Sequence, residues 1–124
     1  MTPKTFADLL LRICDKETSQ DPDGWTKENP LWGHCAVVAL LAQDIFGGEI
    51  LRASLESTKF AKMRSHYWNR LSVFGEVDFT GKQFGDNYPR GLEPIVRERA
   101  YLLSNPETKR RYELLAKRFK TQTA

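Results

Sequence analysis

A chain of 124 residues with 40% hydrophobic and 28% charged content is long enough to bury about two-thirds of its unfolded surface as one domain, residues 1–124, without a disulfide or metal staple. Its net charge of +3 is too mild to mark a nucleic-acid-binding protein, and no stretch reaches the roughly 18 apolar residues of a membrane span. Two cysteines and an N-terminus that alternates apolar and charged residues, unlike a signal peptide, point to a cytoplasmic protein with free thiols.

Thr5 to Lys16 reads as an amphipathic helix, because Phe6, Leu9, Leu10 and Ile13 recur at three- and four-residue steps while Asp8 and Arg12 fall off the stripe. Cys14, in its last turn, reads as a small core residue with nothing nearby to activate it. Glu17 to Pro30 is rich in Asp, Pro, Gly, Asn and Ser and reads as a loop. Trp25 and Trp32 stand out in so polar a stretch. They either anchor the loop on the core or wall a ligand cleft.

The centre of the chain is the run from Gly33-His34-Cys35 through Ala36-Val37-Val38-Ala39-Leu40-Leu41-Ala42 to Phe46, stopped by Gly47-Gly48. Good helix formers, apolar on nearly every side, predict a buried helix with the other elements wrapped around it. Cys35 then lies in its first turn, where unpaired backbone N–H groups and the helix dipole favour a thiolate.

Beyond the glycine stop the period changes. Glu49 to Leu55 and Lys62 to Leu71 read as strands, Ser72-Val73-Phe74-Gly75 as a hairpin turn, and Glu76 to Thr80 as a third strand. Gly81 to Gly91 is loop-like, and Glu93 to Leu103 reads as a short helix. Asn105-Pro106-Glu107 supplies a cap, a first-turn proline and a first-turn acid for a last helix reaching Lys120. The bases of Lys109-Arg110-Arg111 and Lys117-Arg118-Phe119-Lys120 are interleaved with apolar residues at helical spacing, the pattern of a solvated helix face. The layout is α+β: a central buried helix against an antiparallel sheet of three or more strands, flanked by N- and C-terminal helices.

A cysteine nucleophile needs an imidazole within reach and often a third group to orient it. His66 in mid-strand and Asp78 on the next strand fit these roles if Trp68 opposes Asp78, since His66 and Asp78 then share a face; a one-residue slip separates them. The structural alternatives are a half-buried strand histidine and an acid paired with Arg64 or Arg70. His34 cannot face Cys35 from the adjacent helical position and is expected to line the cleft or cap the helix. A zinc site from His34, Cys35, His66 and Asp78 is disfavoured, because the paired short ligand spacings of zinc proteins are missing.

Gly33 to Leu40, Gln43-Asp44 with Gly47 to Leu51, Ser65 to Leu71, Gly75 to Thr80 with Gln83-Phe84, and Tyr101 to Thr108 with Arg111-Tyr112 together resemble the YunG-like family of small bacterial proteins of unassigned function. Members of that family often carry Gln at the position of His34. The order Cys, His, Asp also resembles the core of papain-like and transglutaminase-like cysteine enzymes. That resemblance implies a papain-like fold with Cys35 as nucleophile, His66 as base and Asp78 as orienter. It also matches Asn29 to the glutamine that helps such enzymes hold the oxyanion.

The expected function is a small cysteine-dependent hydrolase or acyltransferase acting on an amide or acyl bond of a peptide or small substrate. The Cys35 backbone N–H, with Asn29 or His34, would bind the oxyanion, and Trp32 and Trp68 would wall the cleft. No cofactor is implied. The rival readings are a non-catalytic binding module built on the same core, and a component that docks on a protein partner through its basic C-terminal helix.

Overall fold

The computed structural model describes residues 1–124. Helix α1 (Pro3–Ile13) begins earlier than its apolar stripe, because Pro3 suits a first helical position and the Thr2 hydroxyl accepts from the Thr5 N–H. It ends at Cys14, where the backbone turns extended, and Lys16–Thr18 is a separate 3-10 turn capped by Asp15. Helix α2 (Cys35–Phe46) has the limits the sequence implies and stops at Gly47, φ 71°.

Strands β1 (Glu49–Ser54), β2 (Ser65–Leu71), β3 (Gly75–Val77) and β4 (Ile95–Arg97) form one antiparallel sheet in the order β3-β2-β1-β4. The expected second strand loses Lys62 to Arg64, since Ala61–Met63 forms a 3-10 turn and Arg64 takes φ 66° before pairing begins. The expected third strand ends at Val77, after which Asp78 and Thr80 carbonyls accept from Gly81 and Gln83 in a turn. The predicted helix over Glu93–Leu103 is also corrected. Ile95-Val96-Arg97 adds to the free edge of β1, and only Arg99–Leu103 (α3) is helical. Pro94 and two β-branched residues favour extended backbone there, and the open edge of β1 supplies the hydrogen bonds.

Helix α4 (Pro106–Thr123) is capped by the Asn105 side chain, which accepts from the Glu107 and Thr108 N–H groups. Phe6 and Leu10 of α1, Val38 and Leu41 of α2 and Leu115 of α4 form the main core. On its other side α2 packs through Ala39 and Leu40 against Ile50 and Leu102, so this helix lies between α1 and α4 and the sheet, as an all-round apolar surface requires. The Asn69 amide, fully buried on β2, donates to the Ala39 carbonyl at 3.0 Å. The basic C-terminal run is partly spent within the molecule: Arg118 pairs with Asp15 at 2.8 Å and donates to the Ile13 carbonyl. No helix is long and apolar enough to cross a membrane.

Candidate active site

Gly33 fixes the entry to α2. It has φ 77°, and a Cβ there would lie 2.3 Å from the Ser19 hydroxyl, so only glycine fits. Its carbonyl accepts from the Gln20 N–H at 2.9 Å, and its N–H donates to the buried Gln83 side chain at 3.0 Å. Two residues later, Cys35 opens the helix. His34 at the N-cap gives no side-chain bond to the first turn, so those N–H groups are not capped from within the chain. The first turn meets β2 at its beginning, where the Cys35 sulfur lies 3.8 Å from the Ser65 carbonyl.

His66 follows on β2. The β2–β3 pairing runs from Leu71 with Gly75 to Asn69 with Val77; Asp78 lies just past the last pair, where the same register continued by one step would meet Trp68. This is the register that puts His66 and Asp78 on one face. The His66 Nε2 lies 2.6 Å from Asp78 Oδ2, while Arg70, the rival partner, pairs with Glu49. His66 is 0% exposed. Trp68 stacks on its ring at 5.3 Å and Phe84 meets it edge-on at 4.9 Å. Its Nδ1 is buried and has no hydrogen-bond partner in the protein. Burial works against charge on this ring, but the hydrogen bond with Asp78 and then the interaction with Cys35 outweigh it and raise its pKa to about 9. The raised value favours the imidazolium at neutral pH, with Nε2 committed to the carboxylate and Nδ1 left without a hydrogen-bond partner.

The remaining residues fall into place unevenly. Trp68 is a wall of the histidine pocket, with its Nε1 donating to Glu76 at 3.2 Å. Trp32 is half-buried, donates to Asp21 at 3.0 Å and packs beside Phe60. The Asn29 amide donates to the Gln83 carbonyl at 2.9 Å, which ties two loops together. His34 does not line a cleft: it is fully buried, with Nδ1 donating to the Trp32 carbonyl at 2.9 Å and Nε2 2.7 Å from the Thr18 hydroxyl. Burial pushes its pKa down to about 4, so the ring is neutral. No three His, Cys, Asp or Glu side chains converge as metal ligands. Cys14 and Cys35 are both free and buried, and burial pushes the Cys14 thiol far up.

A family model described as YunG protein matches residues 2–124. The chain belongs to the YunG family. A Bacillus subtilis (strain 168) protein named "Uncharacterized protein YunG" is 38% identical over 84 residues, covering 67% of this chain and 66% of its own length. The chain thus spans just under two-thirds of that relative. No solved structure matches. In this YunG-family chain, sequence reasoning passed over three supporting side chains. Gln83 holds Gly33 and also donates to the Thr80 hydroxyl at 3.1 Å. Tyr88 donates to Asp78 Oδ2 at 2.5 Å. Gln20 stands beside the helix entry, on the wall of a pocket that also includes Ala36 and Ser65. Gln83 was visible only as part of a family block, and Tyr88 as one of two aromatics, with Phe84, in the Gly81–Gly91 loop. Gln20 carried no signal, because its place is set by backbone pairing with Gly33.

Proposed function

We propose that this YunG-family protein is a cysteine-dependent hydrolase or acyltransferase acting on an amide or acyl bond, with Cys35, His66 and Asp78 as its working residues. The observation that carries the reading is the His66–Asp78 pair at 2.6 Å, near the thiol of a helix first turn, with the far nitrogen of the buried ring left without a hydrogen-bond partner. The order of these residues along the chain and their placement, a thiol opening the central helix, an imidazole from β2 and a carboxylate from the turn just past β3, support a papain-like core.

In the reaction, the Cys35 sulfur attacks the substrate carbonyl carbon and the carbonyl electron pair moves to oxygen. The uncapped N–H groups of the first turn of α2, with the Gln20 amide, receive that oxyanion. Asn29 and His34 are less suited, since their nitrogens are bonded to Gln83, Trp32 and Thr18. His66 gives its Nδ1 proton to the leaving amine or alcohol as the C–N or C–O bond breaks, which leaves an acyl-cysteine and a neutral imidazole. The imidazole then takes a proton from water or an acceptor nucleophile, which attacks the thioester; the C–S bond breaks and the Cys35 sulfur leaves as thiolate beside the re-formed imidazolium. Asp78 holds the ring through Nε2 and balances its charge in both steps. Free cysteines and the lack of a spanning helix suit work in the cytoplasm.

A second reading, a binding module that retains this core without turnover, is favoured by the 4% exposure of Cys35. Incubation with p-nitrophenyl acetate separates the two. The enzymatic reading expects a nitrophenol burst and one acetyl group on Cys35 by peptide mass spectrometry, both absent in Cys35→Ala and His66→Ala. Acetylation spread over lysines with no burst would favour the binding module.

A further inference from the structure

We propose that β4 is a self-association edge: two copies of this chain pair their β4 strands antiparallel about a two-fold axis through Val96, joining two four-stranded sheets into one. The sheet ends at β4 on one side. Three of the eight exposed large apolar side chains of the protein, Ile95, Val96 and Tyr101, lie in or just after this strand, with Ile95 and Val96 48% and 46% exposed. The opposite edge is guarded, because β3 sets the acid Glu76 at its middle, where a second copy would bring like charges together. The middle of β4 carries no charge. Which of its backbone groups face outward follows from β1. The Leu55 N–H donates to the Arg64 carbonyl at 2.9 Å, which continues the β1–β2 register by one pair. Bonding direction alternates along a strand, so Ile50 and Arg52 turn the other way and bond their partners Arg97 and Ile95. Val96, between those two, therefore presents its N–H and C=O to the outside.

With the axis normal to the sheet at Val96, each Val96 N–H donates to the Val96 carbonyl of the other copy. Two residues away, the N–H of Glu98, still extended at φ −68° and ψ 141°, meets the outward carbonyl of Pro94. The reverse bond is not needed. Pro94 has no N–H to give, and the Glu98 carbonyl already accepts from the Tyr101 N–H at 3.0 Å. The strand is self-complementary in charge as well. Neither Glu93 nor Arg97 has an ion-pair partner within the chain, and the Arg97 Nε is buried without a hydrogen-bond partner. Across this axis Glu93 lies on the same face as Arg97 of the second copy and diagonal to it, within reach of long side chains. The symmetry makes that pair twice and closes the assembly at two copies. A foreign strand could take the backbone bonds, but an acid and a base spaced evenly about Val96 specify a second copy.

Sedimentation velocity of the full chain over a concentration series tests this. The mass should rise with concentration from 14.3 kDa toward twice that value. Glu93→Arg and Arg97→Glu each set like charges together on both sides of the axis, and each should weaken the dimer about tenfold. The double variant exchanges the two charges and should recover most of the loss. Val96→Pro removes the outward N–H but no bond to β1, so it should abolish the dimer while thermal unfolding stays cooperative. A monomer at every concentration overturns the proposal. So does a dimer indifferent to both charge reversals, or one that the double variant fails to restore. If Val96→Pro does not fold, the charge-exchange cycle decides by itself.

Discussion

Asp78→Asn removes the charge that holds the His66 ring while keeping the shape of its partner. In the native protein the His66 pKa is raised to about 9 and that of His34 lowered to about 4. These are the only two histidines, so their imidazole C–H signals should be resolved by NMR, with neither titrating between pH 5 and 8. The substitution should bring the His66 midpoint down by about 1–3 units, the usual worth of an adjacent opposite charge, and leave His34 unmoved.

Stability should follow the same groups. The raised pKa of His66 contributes stability that is fully present below about pH 6.5 and is lost as pH rises through about 9, at most about 3 kcal/mol, or about 10 °C in Tm. His34 acts in the opposite sense: its depressed pKa gives stability that is present above about 6.5 and lost as pH falls toward 4. Thermal unfolding across pH should therefore show a maximum near pH 6.5. Asp78→Asn should flatten its alkaline arm alone. A wild-type histidine pair that titrates together near 6.5, or an alkaline arm unchanged by Asp78→Asn, would refute the reasoning.

Other substitutions test the supports of the site. Gly33→Ala puts a methyl 2.3 Å from the Ser19 hydroxyl at positive φ; it should cost more than about 1–3 kcal/mol in urea unfolding and also slow any Cys35 chemistry. Tyr88→Phe removes a donor from Asp78 Oδ2, leaves the carboxylate more basic toward His66, and should raise the His66 midpoint by less than about one unit by NMR. Leu115→Ala, at a fully buried position between α1 and α2, should cost about 2–5 kcal/mol in chemical denaturation without changing the histidine midpoints.

The central helix was legible because its signals agreed: composition, apolar surface and glycine stop all name Cys35–Phe46. The hairpin was legible as an element but not in register. Nothing in Ser72 to Gly75 fixes which residues oppose, and Asp78 meets His66 only because Leu71 pairs with Gly75. Strand β4 was hidden because three residues are too few to show a period, and the free edge of β1 that recruits them lies over 40 positions earlier in the chain. His34 was misplaced for a related reason. Its partners are Thr18, distant in sequence, and the carbonyl of Trp32, so residue type and helical position gave no hint that both nitrogens were satisfied.

The most direct measurement of the central claim is the rate at which iodoacetamide modifies each cysteine of the folded protein at pH 7, read by peptide mass spectrometry. Cys14, buried and with its thiol pushed far up, is the internal reference. A nucleophilic Cys35 beside His66 should react at least about tenfold faster than Cys14 and lose that advantage in His66→Ala. Equal rates, or a Cys35 modified only after unfolding, would contradict the account.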